Sequence, residues 1–399
     1  MKKSLSIYIH IPFCAKKCAY CDFLSFAGAT VPDQNEYVRS LCDEIKLYKS
    51  YYDRYIVKTI YIGGGTPSTL TSSQISTIMD TIRSTFHISR KLEATIEVNP
   101  GVSKYTDMLS YIESGINRMS IGMQSTDDVC LGYLGRIHSY NDFLETYDMA
   151  RRAGFNNVNI DIMSGIPGQD EHSYAETLNK VCELGPEHIS SYSLQVEEGT
   201  PLASNEELLA MLPDEGTDRL MYAMTKKILS VYGYNRYEIS NYSKPGYESK
   251  HNTVYWTGGE YLGFGIGASS YFKGERFSNI TDIRDYNSIS DKIHKLESEN
   301  VNINQIYNMV HMDYRKDTTI MYRESKMEEF MFLGLRMIRG VSRKDFINRF
   351  NSDIYEIYGE VINKYVTEGY MGSDDNRVWL TDKGIDVSNY ILADFILDK

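Results

Sequence analysis

The chain has 399 residues, 42% of them apolar and 24% charged, which suits two or three soluble globular domains with a large core. A net charge of -12 offers no concentration of Lys and Arg for a phosphate backbone and excludes a nucleic-acid partner. No run of about 18 apolar residues could span a bilayer, and the opening Met-Lys-Lys-Ser-Leu-Ser lacks the apolar core of a signal peptide, so a cytoplasmic location is expected.

From residue 6 to about 195 one unit repeats: a β-branched or alternating strand, a polar or glycine-bearing loop, then an amphipathic helix. Strands are expected at 6–11, 59–62, 94–98, 119–123, 157–163 and 189–194, and helices at 37–48, 73–86, 107–113, 140–152 and 173–184. Six such units predict a parallel sheet curled into a partial (β/α)6 barrel, whose reactive groups sit at the C-terminal ends of the strands. Those ends carry Cys14, Cys18 and Cys21, then Gly63-Gly64-Gly65-Thr66-Pro67, Glu97-Val-Asn99, Gln124, Asp161 and Gln195.

A glycine- and tyrosine-rich middle follows, including Gly263-Phe-Gly-Ile-Gly-Ala268, and is expected to close the side of the barrel. The domains are drawn at 1–200, 201–310 and 311–399. In the last, helices at 327–338, 343–350 and 355–368 and a hairpin around Asp374-Asp-Asn376 predict a winged-helix-like α+β domain. Its 13 Lys plus Arg against 16 Asp plus Glu argue for packing or partner binding over DNA.

Three thiols within eight residues are one too few for a closed structural zinc site, whereas a [4Fe–4S] cluster held by three cysteines keeps one iron open. The alternatives are a zinc knuckle completed by His10 or three unrelated loop thiols. Cys42 and Cys182 fall in apolar helical stripes and are expected in the core. The glycine triplet lets backbone come close to a small ligand or simply makes a tight turn before a capped helix. Glu97 suits ribose hydroxyls, Arg136 a carboxylate and Asp161 an amine or hydroxyl, each competing with a structural salt bridge. The 33 tyrosines suggest no function.

The segment Tyr8-Ile-His-Ile-Pro-Phe-Cys14, with Cys18 and Tyr20-Cys21 and the GGGTP loop, resembles the radical S-adenosylmethionine proteins of the oxygen-independent coproporphyrinogen III oxidase family over essentially the whole chain. The resemblance implies a [4Fe–4S] cluster on the three cysteines, whose open iron chelates S-adenosylmethionine and whose electron cleaves it to a 5′-deoxyadenosyl radical. It also implies cofactor contacts from Tyr8, Tyr20, Gly64, Gly65, Thr66, Glu97, Gln124, Arg136 and Asp161, and an electron donor.

The oxidases of the family continue the motif with Cys-x-Cys after a long N-terminal segment, whereas here Cys21-Asp-Phe23 follows and the motif opens at residue 14. The stretch His251-Asn252-Thr-Val-Tyr255-Trp256 is similar instead to the marker of the haem chaperone branch, HemW. That branch implies haem held at His251, with Asn252, Tyr255 and Trp256 beside it, and delivery to acceptor haemoproteins such as respiratory ones. Coproporphyrinogen oxidation is expected to be absent. The rival is an oxidase acting on porphyrinogen propionates, and the other reading of His251 is a hydrogen-bonded core histidine. Dimerisation and peripheral membrane contact stay open.

Overall fold

In the computed structural model, which describes residues 2–397, strand alternation decides the architecture. Six parallel strands, Lys3–Ile11, Tyr55–Gly64, His87–Val98, Arg118–Gln124, Val158–Ser164 and His188–Ser193, lie side by side in chain order. Successive side chains of a strand point to opposite faces. Ile7, Ile9, Ile60, Ile62, Ile96, Ile121 and Ile160 fall on one face and join Leu41, Ile78, Phe143 and Leu178 of the helices in one buried core. The opposite face carries Tyr8, His10, Thr59, Tyr61, Glu97, Ser120, Asn159 and Asp161, so the curled sheet is apolar outside and polar within.

Five helices alternate with these strands: Val31–Lys46, Ser72–Thr85, Tyr105–Glu113, Tyr140–Ala153 and Glu171–Leu184. Four begin in a capping box in which the cap side chain and the third helical residue satisfy each other's amides: Thr30 with Asp33, Thr71 with Gln74, Ser139 with Asp142, and Asp170 with Ser173. The first starts six residues ahead of its apolar stripe, because Thr30 and the following Pro32 set the start before any core residue appears.

The middle of the chain extends both edges of the sheet. Asn241–Ser243 runs antiparallel to the sixth strand. Tyr261–Phe264 runs parallel to the first, with Ser6 opposite Tyr261, making a seventh parallel strand where the sequence suggested only a covering segment. Ser269–Phe272, Glu275–Asn279 and Arg315–Ile320 continue that edge antiparallel.

Glu44 of the first helix clamps this late strand in place. Its buried carboxylate accepts from the Gly265 amide at 2.9 Å, Asn279 Nδ2 at 2.8 Å and the Tyr286 hydroxyl. Tyr37 beside it donates to the His10 carbonyl at 2.7 Å and accepts from the Ile266 amide. A Cβ at Gly265 would lie 2.3 Å from the Tyr37 hydroxyl, so only glycine fits there.

Helices Arg323–Gly334, Arg343–Phe350 and Ile354–Thr367 with the strands Val341–Ser342, Met371–Ser373 and Arg377–Leu380 form the winged helix around a second core that includes Met331, Phe346, Tyr358 and Ile362. Asp374 accepts the amides of Asn376 and Arg377 and turns the hairpin. Bidentate Arg276 to Glu329 and Arg236 to Asp382 join this unit to the barrel. No described helix is long and apolar enough to cross a membrane.

Burial raises the Glu44 carboxyl to about 7. The folded state therefore binds its proton more tightly than the unfolded chain, and the stability this gives is present at low pH and lost as pH rises toward 7. Between pH 5 and 8 the purified protein is expected to lose about 2–3 kcal/mol from this group, read as a falling denaturation midpoint. Glu44→Gln should make that slope shallower by its own share; an unchanged slope would remove Glu44 as a source.

Candidate functional site

The cysteine loop is tied off at its base. Phe13–Cys14 pairs in parallel with Phe26–Ala27, and farther along the loop the Ala19 amide donates to the Leu134 carbonyl at 2.9 Å. Cys14, Cys18 and Cys21 are all half-buried and free of disulfides. Burial first, and then Cys18 and Cys14, push the Cys21 thiol up. Among the described residues no three Cys, His, Asp or Glu side chains converge on a common metal position, so the loop presents its thiols as neighbours, not as a closed cage. His10 does not join them: its Nε2 bonds the Leu24 carbonyl at 2.9 Å and its Nδ1 the Tyr8 hydroxyl at 3.0 Å. Cys42, Cys130 and Cys182 are buried.

The glycine loop packs directly against this loop. A Cβ at Gly64 would stand 2.4 Å from His10 Nδ1, and one at Gly65 would stand 2.8 Å from the Phe13 carbonyl and 3.1 Å from Cys14 Sγ. Its amides are already engaged: Gly64 donates to Glu97 Oε2 at 3.1 Å, Gly65 to the Ile11 carbonyl at 2.8 Å and Thr66 to the Phe13 carbonyl at 2.7 Å. Any ligand at this loop meets carbonyls and the Thr66 hydroxyl.

From Thr66 a polar chain runs to a cation. Thr66 Oγ1 lies 3.5 Å from Cys14 Sγ and accepts from Asn99 Nδ2 at 2.9 Å, while Asn99 Oδ1 accepts from Arg136 at 3.0 Å and Arg136 also donates to the Tyr20 hydroxyl at 2.8 Å. Arg136 makes no ion pair among the described residues, its Nε is buried without a partner, and Cys18 is among the groups that hold it charged. An uncompensated guanidinium beside three thiols fits a group of net negative charge, as a thiolate-bound cluster or a ligand carboxylate would be. Asn99 was not singled out as a ligand-binding residue from the sequence; its place two residues after Glu97, on the same face of the strand, was the available signal.

Gln124 is held in a left-handed conformation, φ 69°, beside Gly122 and Arg136. Glu97 accepts from the Tyr61 hydroxyl at 2.7 Å, and burial raises its carboxyl to about 7. Asp161 sits deeper, bonded to Ser120 at 3.0 Å and Asn159 at 2.8 Å, and reaches Glu97 through its charge alone. Thus Tyr20, Gly65, Thr66, Gln124 and Arg136 gather at the cysteine loop, Tyr8, Gly64 and Glu97 line its flank, and Asp161 stands behind.

The His251 motif forms the short helix Lys250–Trp256, docked on the second strand. His251 is 1% exposed. Thr59 gives its hydroxyl proton to Ser6 at 2.7 Å, so it accepts from His251 Nδ1 at 2.8 Å, which leaves Nε2 as the unprotonated nitrogen facing the Tyr255 hydroxyl at 2.8 Å. Burial, and then Arg118, lower the imidazole to about 3, so it is neutral. Tyr255 and Trp256 line a cleft of about 470 Å³ with Tyr8, His10, Leu24 and Phe23, the last 63% exposed. Ser249 caps the helix start, its hydroxyl accepting from the Asn252 amide at 3.3 Å, and the Arg336 guanidinium lies 4.5 Å over the Trp256 ring.

Residues 8–181 match the model of the Radical SAM superfamily and residues 322–387 that of the HemN C-terminal domain. The chain is 33% identical to the heme chaperone HemW of Lactococcus lactis, over 100% of this chain and 99% of that one, and 33% identical to that of Bacillus subtilis, over 98% and 99%. The Escherichia coli heme chaperone HemW is 38% identical over 66% of this chain and 69% of its own. The solved structure of Escherichia coli coproporphyrinogen III oxidase, HemN, shares the fold with a TM-score of 0.82 at 21% identity, over 99% of this chain and 91% of that one. A polar barrel interior, a three-thiol loop clasped by glycines and full-length identity of this order place the chain in the heme chaperone HemW family of radical SAM proteins.

Proposed function

We propose that this chain binds haem and delivers it to acceptor haemoproteins, on a scaffold that also holds a [4Fe–4S] cluster and S-adenosylmethionine. The observation that carries the haem half is the state of His251. A neutral imidazole with Nδ1 donating to Thr59 offers Nε2 as its base, the arrangement in which a histidine ligates a metal while a second hydrogen bond fixes its ring. Tyr255 both covers that nitrogen and lines the adjoining cleft. Its rotation into the cleft would uncover Nε2, and Trp256, Tyr261 and Phe23 would then lie against the porphyrin.

On this reading Cys14, Cys18 and Cys21 hold the cluster, and Tyr8, Tyr20, Gly64, Gly65, Thr66, Glu97, Gln124, Arg136 and Asp161 surround S-adenosylmethionine. The bound cluster supplies one-electron chemistry to the cofactor. Arg136 balances negative charge, Glu97 offers its carboxylate to hydroxyls, and the glycine loop fixes the position of Cys14. The absence of a membrane-crossing helix among the described residues supports a cytoplasmic site of work, with respiratory haemoproteins as receivers.

Replacing Cys14, Cys18 and Cys21 together by Ala should remove the iron–sulfur absorption, while Cys42→Ala, Cys130→Ala or Cys182→Ala should leave it; iron and acid-labile sulfide retained in the triple variant would sink the cluster assignment. His251→Ala should abolish or shift the Soret band of the haem complex, and Tyr255→Phe, which removes the cap from Nε2, should tighten haem binding several-fold. Unaltered spectrum and affinity in His251→Ala would overturn the ligand. With cluster, S-adenosylmethionine and a low-potential reductant supplied anaerobically, coproporphyrinogen III should remain unconverted, as followed by chromatography; protoporphyrinogen IX formation would restore the oxidase reading.

A further inference from the structure

A second cavity opens at the opposite end of the barrel, between the N-terminal ends of the parallel strands and the winged helix. It has a volume of about 1150 Å³. The strand that carries Lys3 at this end leads, nine residues on, to the cysteine loop at the other, so the two sites stand about 30 Å apart. Nothing in the cluster or haem readings uses it.

Its walls are basic. Lys3, Arg54, Lys273, Lys326 and Arg349 line it, and none of the five makes an ion pair among the described residues. Of the carboxylates present, Asp53 pairs with Lys2 at 3.5 Å and Glu329 with Arg276, while Glu260 accepts the Lys273 amide at 2.8 Å and keeps its charge, so the lining stays net positive. On a chain of net charge -12 this is a local reversal of sign, and a concave wall concentrates it further.

Two of the cations lie against the opposite unit. Arg349 lies 5.3 Å over the Phe330 ring, and its Nη1 would be 3.3 Å from a Cβ at Gly258, a left-handed turn of the barrel unit. Lys326 Nζ would be 3.4 Å from a Cβ at Gly274, a second such turn. The winged helix thus reaches its two cations onto the barrel across the cleft. Between them stand the rings of Tyr51, Tyr55, Tyr271, Phe330 and Phe350.

We propose that this interdomain cleft binds a phosphate-bearing organic anion with a flat ring, of the size of a nucleoside diphosphate. Guanidinium and ammonium groups without carboxylate partners recognise the phosphates, and the tyrosine and phenylalanine rings receive the flat part. A cleft of this volume has room for a small ligand with both a ring and phosphates. Because its cations come from both units, occupancy ties the winged helix to the barrel.

The test titrates the cluster-loaded full chain with GDP, with inorganic pyrophosphate and with a poly-glutamate peptide by calorimetry at low and high salt. GDP should bind at least tenfold more tightly than pyrophosphate, weaken as salt rises, and raise the melting temperature. Lys326→Glu with Arg349→Glu should weaken both phosphates at least tenfold, with the iron–sulfur absorption as the control for folding. Arg54→Glu with Lys273→Glu, on the barrel wall, should do the same without altering the winged helix. GDP affinity unchanged in both double variants, absence of phosphate binding at low salt, equal affinity for GDP and pyrophosphate, or binding of the peptide alone would each overturn the assignment.

Discussion

A polar side chain removed from water must find a partner, and the inner face of this sheet carries such a side chain at nearly every position. Ser6, Thr59 and His251 satisfy one another; Ser120, Asn159, Asp161 and His188 form a second chain; Tyr61, Glu97 and Gly64 a third. An apolar core tolerates exchange of one aliphatic residue for another, but these chains fix each ring and carboxylate to one orientation. The rest of the molecule depends on them, because each chain joins strands distant in sequence and ends at a residue of the site.

The cysteine loop shows how the outer layer serves the inner one. Its thiols are half-buried, and their positions come from main-chain contacts to Leu134 and to the strand Phe26–Ala27 and from glycines that leave no room for a side chain. Substitution in the GGGTP segment would therefore move Cys14 before it altered any ligand contact. Arg136 contributes charge where Thr66 and Asn99 contribute geometry.

Much of this was legible in the sequence. Alternation of Ile and polar residues located all six strands of the repeat, and cap residues explain where the helices start earlier than their apolar stripes. The seventh parallel strand, Tyr261–Phe264, was not legible: its four residues pair with a strand some 250 positions earlier, and the Glu44 and Tyr37 bonds that hold it there have no local pattern. Asn99 was legible only as a polar strand-end residue and not as a bridge, because an amide joining Thr66 to Arg136 acts through contacts across three strand ends. Many tyrosines without a sequence meaning, among them Tyr37, Tyr234 and Tyr286, are buried with their hydroxyls on carbonyls or carboxylates, so they fill the core and anchor it at once.

On the proposed ligation of haem by His251, the hydroxyl of Tyr255 on Nε2 bears on how firmly cargo is kept. A site that must first release its own internal cap binds more weakly than a preformed one by the fraction of time it stands open. The same closure acts in the other direction when cargo leaves, since the tyrosine returns to the nitrogen and competes with rebinding. For the proposed carrier that is an advantage: a permanently open histidine would hoard its haem, whereas a self-capping one lets an acceptor with a preformed ligand pair draw the haem away.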